Sequence, residues 1–373
     1  MKDFQKILQT LHQWQLQDRS AVMVTVVRVA GSTYRRPGAR MLIAGDGEMV
    51  GTVSGGCLEA DIATHAQSVL ENNQPALLTY DTMSDDNTVW GLGTGCNGIM
   101  EVRLEPISHL CNEWDYLAFF QSIQSGYQPG YFLTLLSAEG ECPFALGAHL
   151  ALYPDGRAVG QLSTPEILQW IKQPLSIPGN KTYRHLEYKG SKFRAELLLE
   201  RMEPPPELVL FGAGQDAEPV VELARFLGWR VVVVDHRPLY ARKERFPEGT
   251  QVFLEDYSAF LTNRPIQPEN PVIVMTHHFL HDLSILKYLV QQPPVYVGVL
   301  GPRRRTQQLL QQLKIDREWH PQFPERLFSP VGLDIGSESP EEIALAIVSE
   351  IQAVLSGRKG SSLKFRKGPI HLS

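Results

Sequence analysis

The apolar run Leu208-Val209-Leu210-Phe211 passes directly into Gly212-Ala213-Gly214-Gln215-Asp216-Ala217 and then into Glu218-Pro219-Val220-Val221-Glu222-Leu223-Ala224. Further on, Val231-Val232-Val233-Val234 ends at Asp235. Strand, glycine turn, helix and second strand ending in an acid form a dinucleotide-binding fingerprint, with Ala in the third glycine position. Gly212 is expected to make the tight turn. Gly214 is expected to let the backbone approach a phosphate whose charge the N–H groups of the helix stabilise. Asp235 stands where a ribose diol is held. The ligand itself does not follow, because a fold does not dictate what it binds.

At 373 residues the chain exceeds one ordinary core, since domains average roughly 100 to 200 residues. The sharpest break is Met202-Glu203-Pro204-Pro205-Pro206-Glu207, because consecutive prolines fit neither a helix interior nor a central strand. Downstream, apolar runs at 208–211, 230–234, 271–275 and 295–300 alternate with helical segments. That order predicts a Rossmann-like, doubly wound parallel-sheet domain over 207–355. Pro340 opens its last helix, with Ser339 as N-cap and Glu341 and Glu342 favourable in the first turn. Residues 356–373 mix Gly, Ser, Lys and Arg without periodicity and read as a flexible tail. Upstream, 1–201 predicts an α+β domain. It begins with an amphipathic helix carrying Phe4, Ile7, Leu8, Leu11 and Trp14. Strands are expected at 21–29, 39–44, 49–53, 76–80, 99–104, 131–136, 145–152 and 194–199, and a helix at 58–70. The whole is of α/β class.

Charge narrows the partners. Lys and Arg number 35 against 41 Asp and Glu, a formal charge of −6, which gives no general attraction to nucleic acid or an anionic membrane. Any phosphate site must be local. The four cysteines, Cys57, Cys96, Cys111 and Cys142, lack zinc-site or thioredoxin-like spacing and suggest reduced thiols in a cytoplasmic protein. No run approaches the roughly 20 apolar residues of a membrane span, and the N-terminus lacks a signal-peptide core.

Two glycine and cysteine segments draw attention in the first half. In Val53-Ser54-Gly55-Gly56-Cys57-Leu58-Glu59, a strand, glycine turn and helix start would place Cys57 in the first helical turn, where unpaired N–H groups favour a thiolate. A buried small residue closing a turn is the alternative. Trp90-Gly91-Leu92-Gly93-Thr94-Gly95-Cys96-Asn97-Gly98 exposes many amides and can wrap an anion or a flat ring, or simply lets strands approach. A third segment, Gly31 to Arg40, offers Arg35 and Arg36 as planar donors to phosphate or carboxylate, or as a solvated basic turn.

Together these residues resemble the XdhC/CoxI family, accessory proteins in the maturation of molybdenum hydroxylases such as xanthine dehydrogenase and carbon monoxide dehydrogenase. The resemblance rests on Gly31-Ser32 with Arg35-Arg36-Pro37-Gly38-Ala39, on Gly51 to Glu59, and on Trp90 to Gly98. It continues through Phe211 to Gly214, Asp235 with Arg237, Tyr296 to Gly301 before Arg303, and Gly332 to Gly336 before Pro340-Glu341-Glu342. Thr94 departs from the apolar residue that members often carry. The resemblance implies an N-terminal XdhC/CoxI-type domain and a Rossmann domain. It also implies binding of molybdenum cofactor (molybdopterin), its protection during sulfuration with a cysteine desulfurase, and its delivery to an apo molybdenum hydroxylase. Glycine loops, a nucleotide-type fold and cysteines suit the phosphate, the pterin and the soft metal-dithiolene end of that cofactor. The expected contacts are Cys57 and Cys96 at the molybdenum or sulfur end, with Gly55, Gly56, Gly95, Arg35, Gly212, Gly214, Asp235 and Arg303.

Arg303 is preferred among Arg303-Arg304-Arg305 because it follows a strand and starts a helix, and all three cannot point inward. Thr276-His277-His278, with His281 and Asp282, ends another strand and suits polar ligand contact or helix capping better than metal binding. The leading reading is a non-catalytic cofactor chaperone whose Rossmann domain and glycine-cysteine loops share one cleft, within one chain or across a homodimer. The competitors are an NAD(P)-dependent oxidoreductase, supported by Asp235, and a nucleotide-sensing regulatory protein.

Overall fold

The computed structural model describes residues 2–31, 33–81, 98–107, 115–176, 182–316 and 319–367. The chain forms two compact units, Met1–Pro204 and Pro205–Ser373.

The first unit carries two antiparallel five-stranded sheets. Helix α1 (Lys2–Leu16) leads into β1 (Ala21–Gly31), β2 (Arg40–Ala44), β3 (Met49–Gly51), helix α2 (Glu59–Asn72), β4 (Ala76–Asp81) and β5 (Gly98–Ile107), in sheet order β3-β2-β1-β5-β4. Strand β1 is buried from Ala21 to Val27 because both its faces are covered. Val22, Val24 and Val26 meet Ile62, Ala66 and Val69 of α2. Ala21 and Met23 join the cluster of Ile7, Leu11 and Trp14 from α1. The period of two sends alternate residues to opposite cores.

The second sheet follows helix α3 (Asp115–Ser125) and contains β6 (Gly130–Gly140), β7 (His149–Leu152), β8 (Ala158–Val159), β9 (Tyr183–Lys189) and β10 (Phe193–Met202), with helix α4 (Pro165–Ser176) after β8. Its order is β8-β7-β6-β10-β9. Leu133, Leu150, Leu197 and Leu199 pack on Ile167 and Ile171 of α4. A buried ion pair ties the two sheets together: Arg40 donates through Nη1 and Nη2 to Glu200 at 2.9 and 2.7 Å. The approach needs a glycine at Gly38, where φ is +89° and a Cβ would lie 2.5 Å from Glu200 Oε1.

The second unit is a six-stranded, all-parallel sheet. Its elements are β11 (Glu207–Phe211), α5 (Ala217–Phe226), β12 (Arg230–Asp235), β13 (Gln251–Leu254), α6 (Tyr257–Asn263), β14 (Pro271–Val274), α7 (Phe279–Leu289), β15 (Tyr296–Val299), α8 (Arg303–Asp316), α9 (Phe323–Arg326), β16 (Leu327–Phe328) and α10 (Pro340–Leu355). The order β13-β12-β11-β14-β15-β16 reverses direction at β11, so the topological switch point lies between β11 and β14. Leu208 and Leu210 face Val220, Ala224, Ile347 and Ile351 of α5 and α10. Val209 and Phe211 face Phe260, Ile285 and Leu309 of α6, α7 and α8. Helices therefore cover both faces, as the doubly wound pattern requires. Helix α10 starts with a full capping box between Ser339 and Glu342. In the segment read as a tail, Leu363–Phe365 forms a 3-10 turn, and 368–373 lie outside the described residues.

Candidate functional site

In the first unit the loop between β3 and α2 turns through Gly55 and Gly56, whose φ values are +86° and +114°. Its amides converge on a side chain encoded in the same motif. Glu59 Oε1 accepts from Thr52 Oγ1 at 2.5 Å, Val53 N at 3.1 Å and Ser54 N at 2.9 Å. Its Oε2 accepts from Ser54 Oγ, from Gly56 N at 2.9 Å and from Leu58 N at 3.2 Å. Burial would raise the pKa of this carboxyl, but the bonds from Ser54 and Thr52 win and hold it at about 2, since donors to the charged form favour it. The loop thus carries its own anion, and the amides that the motif left unpaired around Cys57 are spent on Glu59.

Cys57 is corrected as well. Helix α2 begins at Glu59 with Leu58 as N-cap, so the thiol precedes the first helical turn. It is a free thiol of intermediate exposure that donates weakly to the Ser54 carbonyl at 3.7 Å and packs partly on the core beneath α2. A Cβ at Gly56 would meet nothing within 4 Å, whereas Gly55 lies against the Tyr34 ring. Arg35 donates through Nε to the Thr52 carbonyl at 3.1 Å and so braces this loop from the neighbouring segment. Gly95 and Cys96 lie outside the described residues.

In the second unit the crevice opens at the carboxyl ends of β11, β12, β14 and β15. Gly212, at φ +109°, is where β11 turns past β14, and a Cβ there would lie 2.4 Å from the Met275 carbonyl oxygen. At Gly214 a Cβ would lie 2.5 Å from Asp216 Oδ1, so that carboxylate stands over the glycine. Asp216 Oδ2 lies 2.7 Å from His277 Nε2, joining the loop after β11 to the end of β14 across the switch point. His277 sits at φ +58°, a backbone region that costs a non-glycine residue free energy and marks functional positions. Beside it, Thr276 Oγ1 and Arg305 Nη1 both donate to Asp282, whose side chain is fully buried.

Asp235 does not present a free carboxylate for a ribose. It is fully buried, and Oδ2 accepts from Ala213 N and Arg237 Nη2, each at 2.7 Å, while Oδ1 accepts from Arg237 N and Nε at 2.9 Å. Burial raises its pKa, yet these bonds hold it below the usual range. Arg303 is exposed. The inward arginine is Arg305, two residues further on, and its Nη2 is buried with no hydrogen-bond partner. Among the described residues, the amides of Gly214 and Gln215 likewise have no acceptor.

Residues 14–81 match the XdhC and CoxI family and 208–351 match the XdhC Rossmann domain. The chain is 33% identical over 355 residues to a probable xanthine dehydrogenase subunit of Bacillus subtilis (strain 168), covering 94% of this chain and 97% of that protein. The chain belongs to the XdhC and CoxI family. Another relative, the molybdenum cofactor insertion chaperone PaoD of Escherichia coli (strain K12), is 22% identical over 352 residues, 94% of this chain and 89% of its own. A crystal structure of a xanthine dehydrogenase from Bacillus halodurans superposes with a TM-score of 0.76 at 32% identity, covering 95% of this chain and 98% of that one.

Two residues of this family member escape sequence reasoning as site candidates, Glu59 and Asp216, while Asp282 is read there as a polar contact or cap and Arg303 is preferred to Arg305. Asp216 had a visible signal, being an acid inside the glycine fingerprint itself. Near the same crevice His281 lies between His236 and His278 at centroid distances of 4.6 and 4.5 Å, tilted by 44° to each, beside Tyr257. Among the described residues no group of His, Cys, Asp or Glu side chains is arranged to hold a metal, and no helix is long and apolar enough to cross a membrane.

Proposed function

We propose that this protein binds molybdenum cofactor and inserts it into an apo molybdenum hydroxylase of the xanthine dehydrogenase type. The observation that carries the reading is the near full-length relationship to a protein named as a molybdenum cofactor insertion chaperone, joined to membership of the XdhC and CoxI family. The residues present fit the group. The donor fork of Arg305, held by Asp282, suits its phosphate, and the partly exposed Cys57 thiol suits its soft metal-sulfur end. When bound, the cofactor would supply the molybdenum and dithiolene sulfurs used by the hydroxylase.

The protein's own contribution is retention and release. Glu59 fixes the loop that presents Cys57, and the Asp216–His277 and Asp282–Arg305 pairs fix cationic side chains at the switch point. The fuller version of this role includes sulfuration of the cofactor while it is held, with a cysteine desulfurase as partner, action in the cytoplasm and assembly as a homodimer. The NAD(P)-dependent oxidoreductase reading loses its ribose acceptor, because both oxygens of Asp235 are taken by Ala213 and Arg237.

Transfer is the decisive assay. Full-length protein made with cofactor available is expected to activate an apo-hydroxylase, and Cys57→Ala is expected to lower the yield of active enzyme while the fold is retained. Equal activation by the variant would remove Cys57 from the role. Ligand-dependent partner binding without any activation would instead favour a nucleotide-sensing regulator.

A further inference from the structure

An aromatic ring lies on the glycine loop of the first unit. Tyr34, in the turn between β1 and β2, is 60% exposed, and its ring is seated on Gly55. A Cβ at Gly55 would lie 3.0 Å from Cδ1, 3.1 Å from Cε1 and 3.2 Å from Cγ of that ring. A neighbour in the ring plane at that distance from Cδ1 would stand distinctly further from the two carbons bonded to it, so the ring presents its face to the glycine. We infer that the opposite, outer face of Tyr34 is a stacking platform for a flat heteroaromatic ring, and that the ring it takes is the pterin of the cofactor whose metal-sulfur end meets Cys57.

Single surface tyrosines are ordinary. This one differs in what holds it and in what stands beside it. The glycine closes its inner face while most of the side chain stays in solvent, so the outer face is open. Among the described residues it meets no other ring and no hydrogen-bond partner. Its segment is braced: Thr33 Oγ1 donates to the Arg35 carbonyl at 2.9 Å, Arg35 Nε donates to the Thr52 carbonyl at 3.1 Å, and Gly55 N donates to Thr52 Oγ1 at 3.0 Å. Thr52 therefore ties the tyrosine's segment to the glycine beneath the ring, and a platform fixed in advance loses little entropy when a ligand lands on it. Beyond Gly55 the surface stays bare. Gly55 and Gly56 are both exposed, and a Cβ at Gly56 would meet nothing within 4 Å. Cys57 follows, partly exposed, and two residues of chain span at most about 7 Å.

Neither a charge nor a buried donor is needed here. Stacking on an aromatic face works through dispersion and apolar burial and tolerates any flat ring, so the platform selects for shape. Identity comes from the nearness of the thiol. A pterin joined to a metal-binding dithiolene can lie on Tyr34 and turn its sulfur end along the two glycines toward Cys57, whereas a nucleotide base brings nothing soft to that end. Glycine is required at 55 because any side chain there would push the ring off the loop. The pterin assignment rests on the cofactor-insertion reading; the platform does not.

The test uses full-length protein and a fluorescent oxidised pterin that lacks metal and dithiolene, with Tyr34→Phe, Tyr34→Leu and Cys57→Ala as variants. Tyr34 is exposed, so its variants should fold, and unfolding midpoints check that they do. Phenylalanine keeps the flat face; leucine keeps apolar cover over Gly55 and loses the face. The expected result is fluorescence quenching on binding, with affinity within about twofold of wild type for Tyr34→Phe and about tenfold weaker for Tyr34→Leu. Cys57→Ala should leave this probe's affinity unchanged, because the probe carries no metal-sulfur end. Wild-type affinity in Tyr34→Leu, or equal loss in the phenylalanine and leucine variants, would overturn the platform, and cofactor found on wild-type protein from cells that make it would still leave the insertion reading standing. Probe binding that depends on the Tyr34 face, in a protein that carries no cofactor from such cells, would keep the platform and overturn the pterin assignment. A wild type that binds no probe overturns both.

Discussion

The two glycine loops of this protein look alike in sequence and behave in opposite ways. Each leaves a strand, turns at positive φ, through Gly55 and Gly56 in the first and Gly212 in the second, and enters a helix. The loop of the first unit encodes its own anion: Glu59 collects donors from Thr52, Val53, Ser54, Gly56 and Leu58. The loop of the second unit does not, because Asp216 is drawn off to His277 and Asp235 reaches only the Ala213 amide. Amides at Gly214 and Gln215 and the Arg305 Nη2 atom are left over. A glycine turn shows that backbone donors are concentrated; whether they are available depends on the acids encoded nearby.

The contrast can be broken most sharply at Gly212. A Cβ there combines a positive φ with a 2.4 Å approach to the Met275 carbonyl. Gly212→Ala should therefore cost about 3 kcal/mol or more of stability and abolish ligand binding in the second unit, read by thermal unfolding and by probe titration.

Glu59→Gln should separate the loops by touching only the first. Its carboxyl is held at about 2, below the ordinary value of about 4.3, so at pH 7 it contributes about 3 kcal/mol of stability. A depressed folded pKa places that contribution above the unfolded value and removes it as pH falls toward 2. The difference in unfolding midpoint between wild type and Glu59→Gln should therefore be large at pH 7 and shrink from about pH 4.5 downward. A gap that is constant with pH would mean the charge is not what holds the loop.

His277 carries the opposite sign. Its pKa is raised by Asp216, so the pair's stabilising contribution is complete below the ordinary histidine value and fades as pH rises through the folded one. The gap in unfolding midpoint between wild type and His277→Asn should shrink over the same rise, and a gap that is constant with pH would remove the pair's charge from the account. The smallest effect belongs to Cys57→Ala, whose thiol makes one weak contact. Its unfolding midpoint should shift by less than about 1 kcal/mol equivalent while cofactor transfer suffers.

The parallel sheet was legible because strands buried on both faces, such as Leu208 to Phe211 and Val231 to Val234, read as unbroken apolar runs between turns. The edges were not. Strands β13 and β16 are short and partly exposed, and α4 carries Pro174 near its end, which reads as a break. Strand β9 alternates exposure along a polar sequence, so its apolar signal is thin. At the site, the tight turn at Gly212 was readable from the strand and helix on either side of it. The sequence could not choose among three consecutive arginines, because helical phase relative to the crevice depends on where α8 starts, and Arg305 rather than Arg303 turns in. Nor could it show that Asp235 and Glu59 would spend their charge on the chain's own donors. Both acids sit where a ligand contact and an internal hydrogen bond demand the same residue type, and only packing distinguishes them.

The central claim is that this protein binds molybdenum cofactor for insertion into an apo-hydroxylase. Its most direct test is extraction of bound pterin from full-length protein purified from cells that make the cofactor, comparing wild type with Arg305→Lys. The account predicts stoichiometric phosphorylated pterin in the wild type and about a tenth or less in the variant. Wild-type protein that carries no pterin, or a variant that retains it in full, would contradict it.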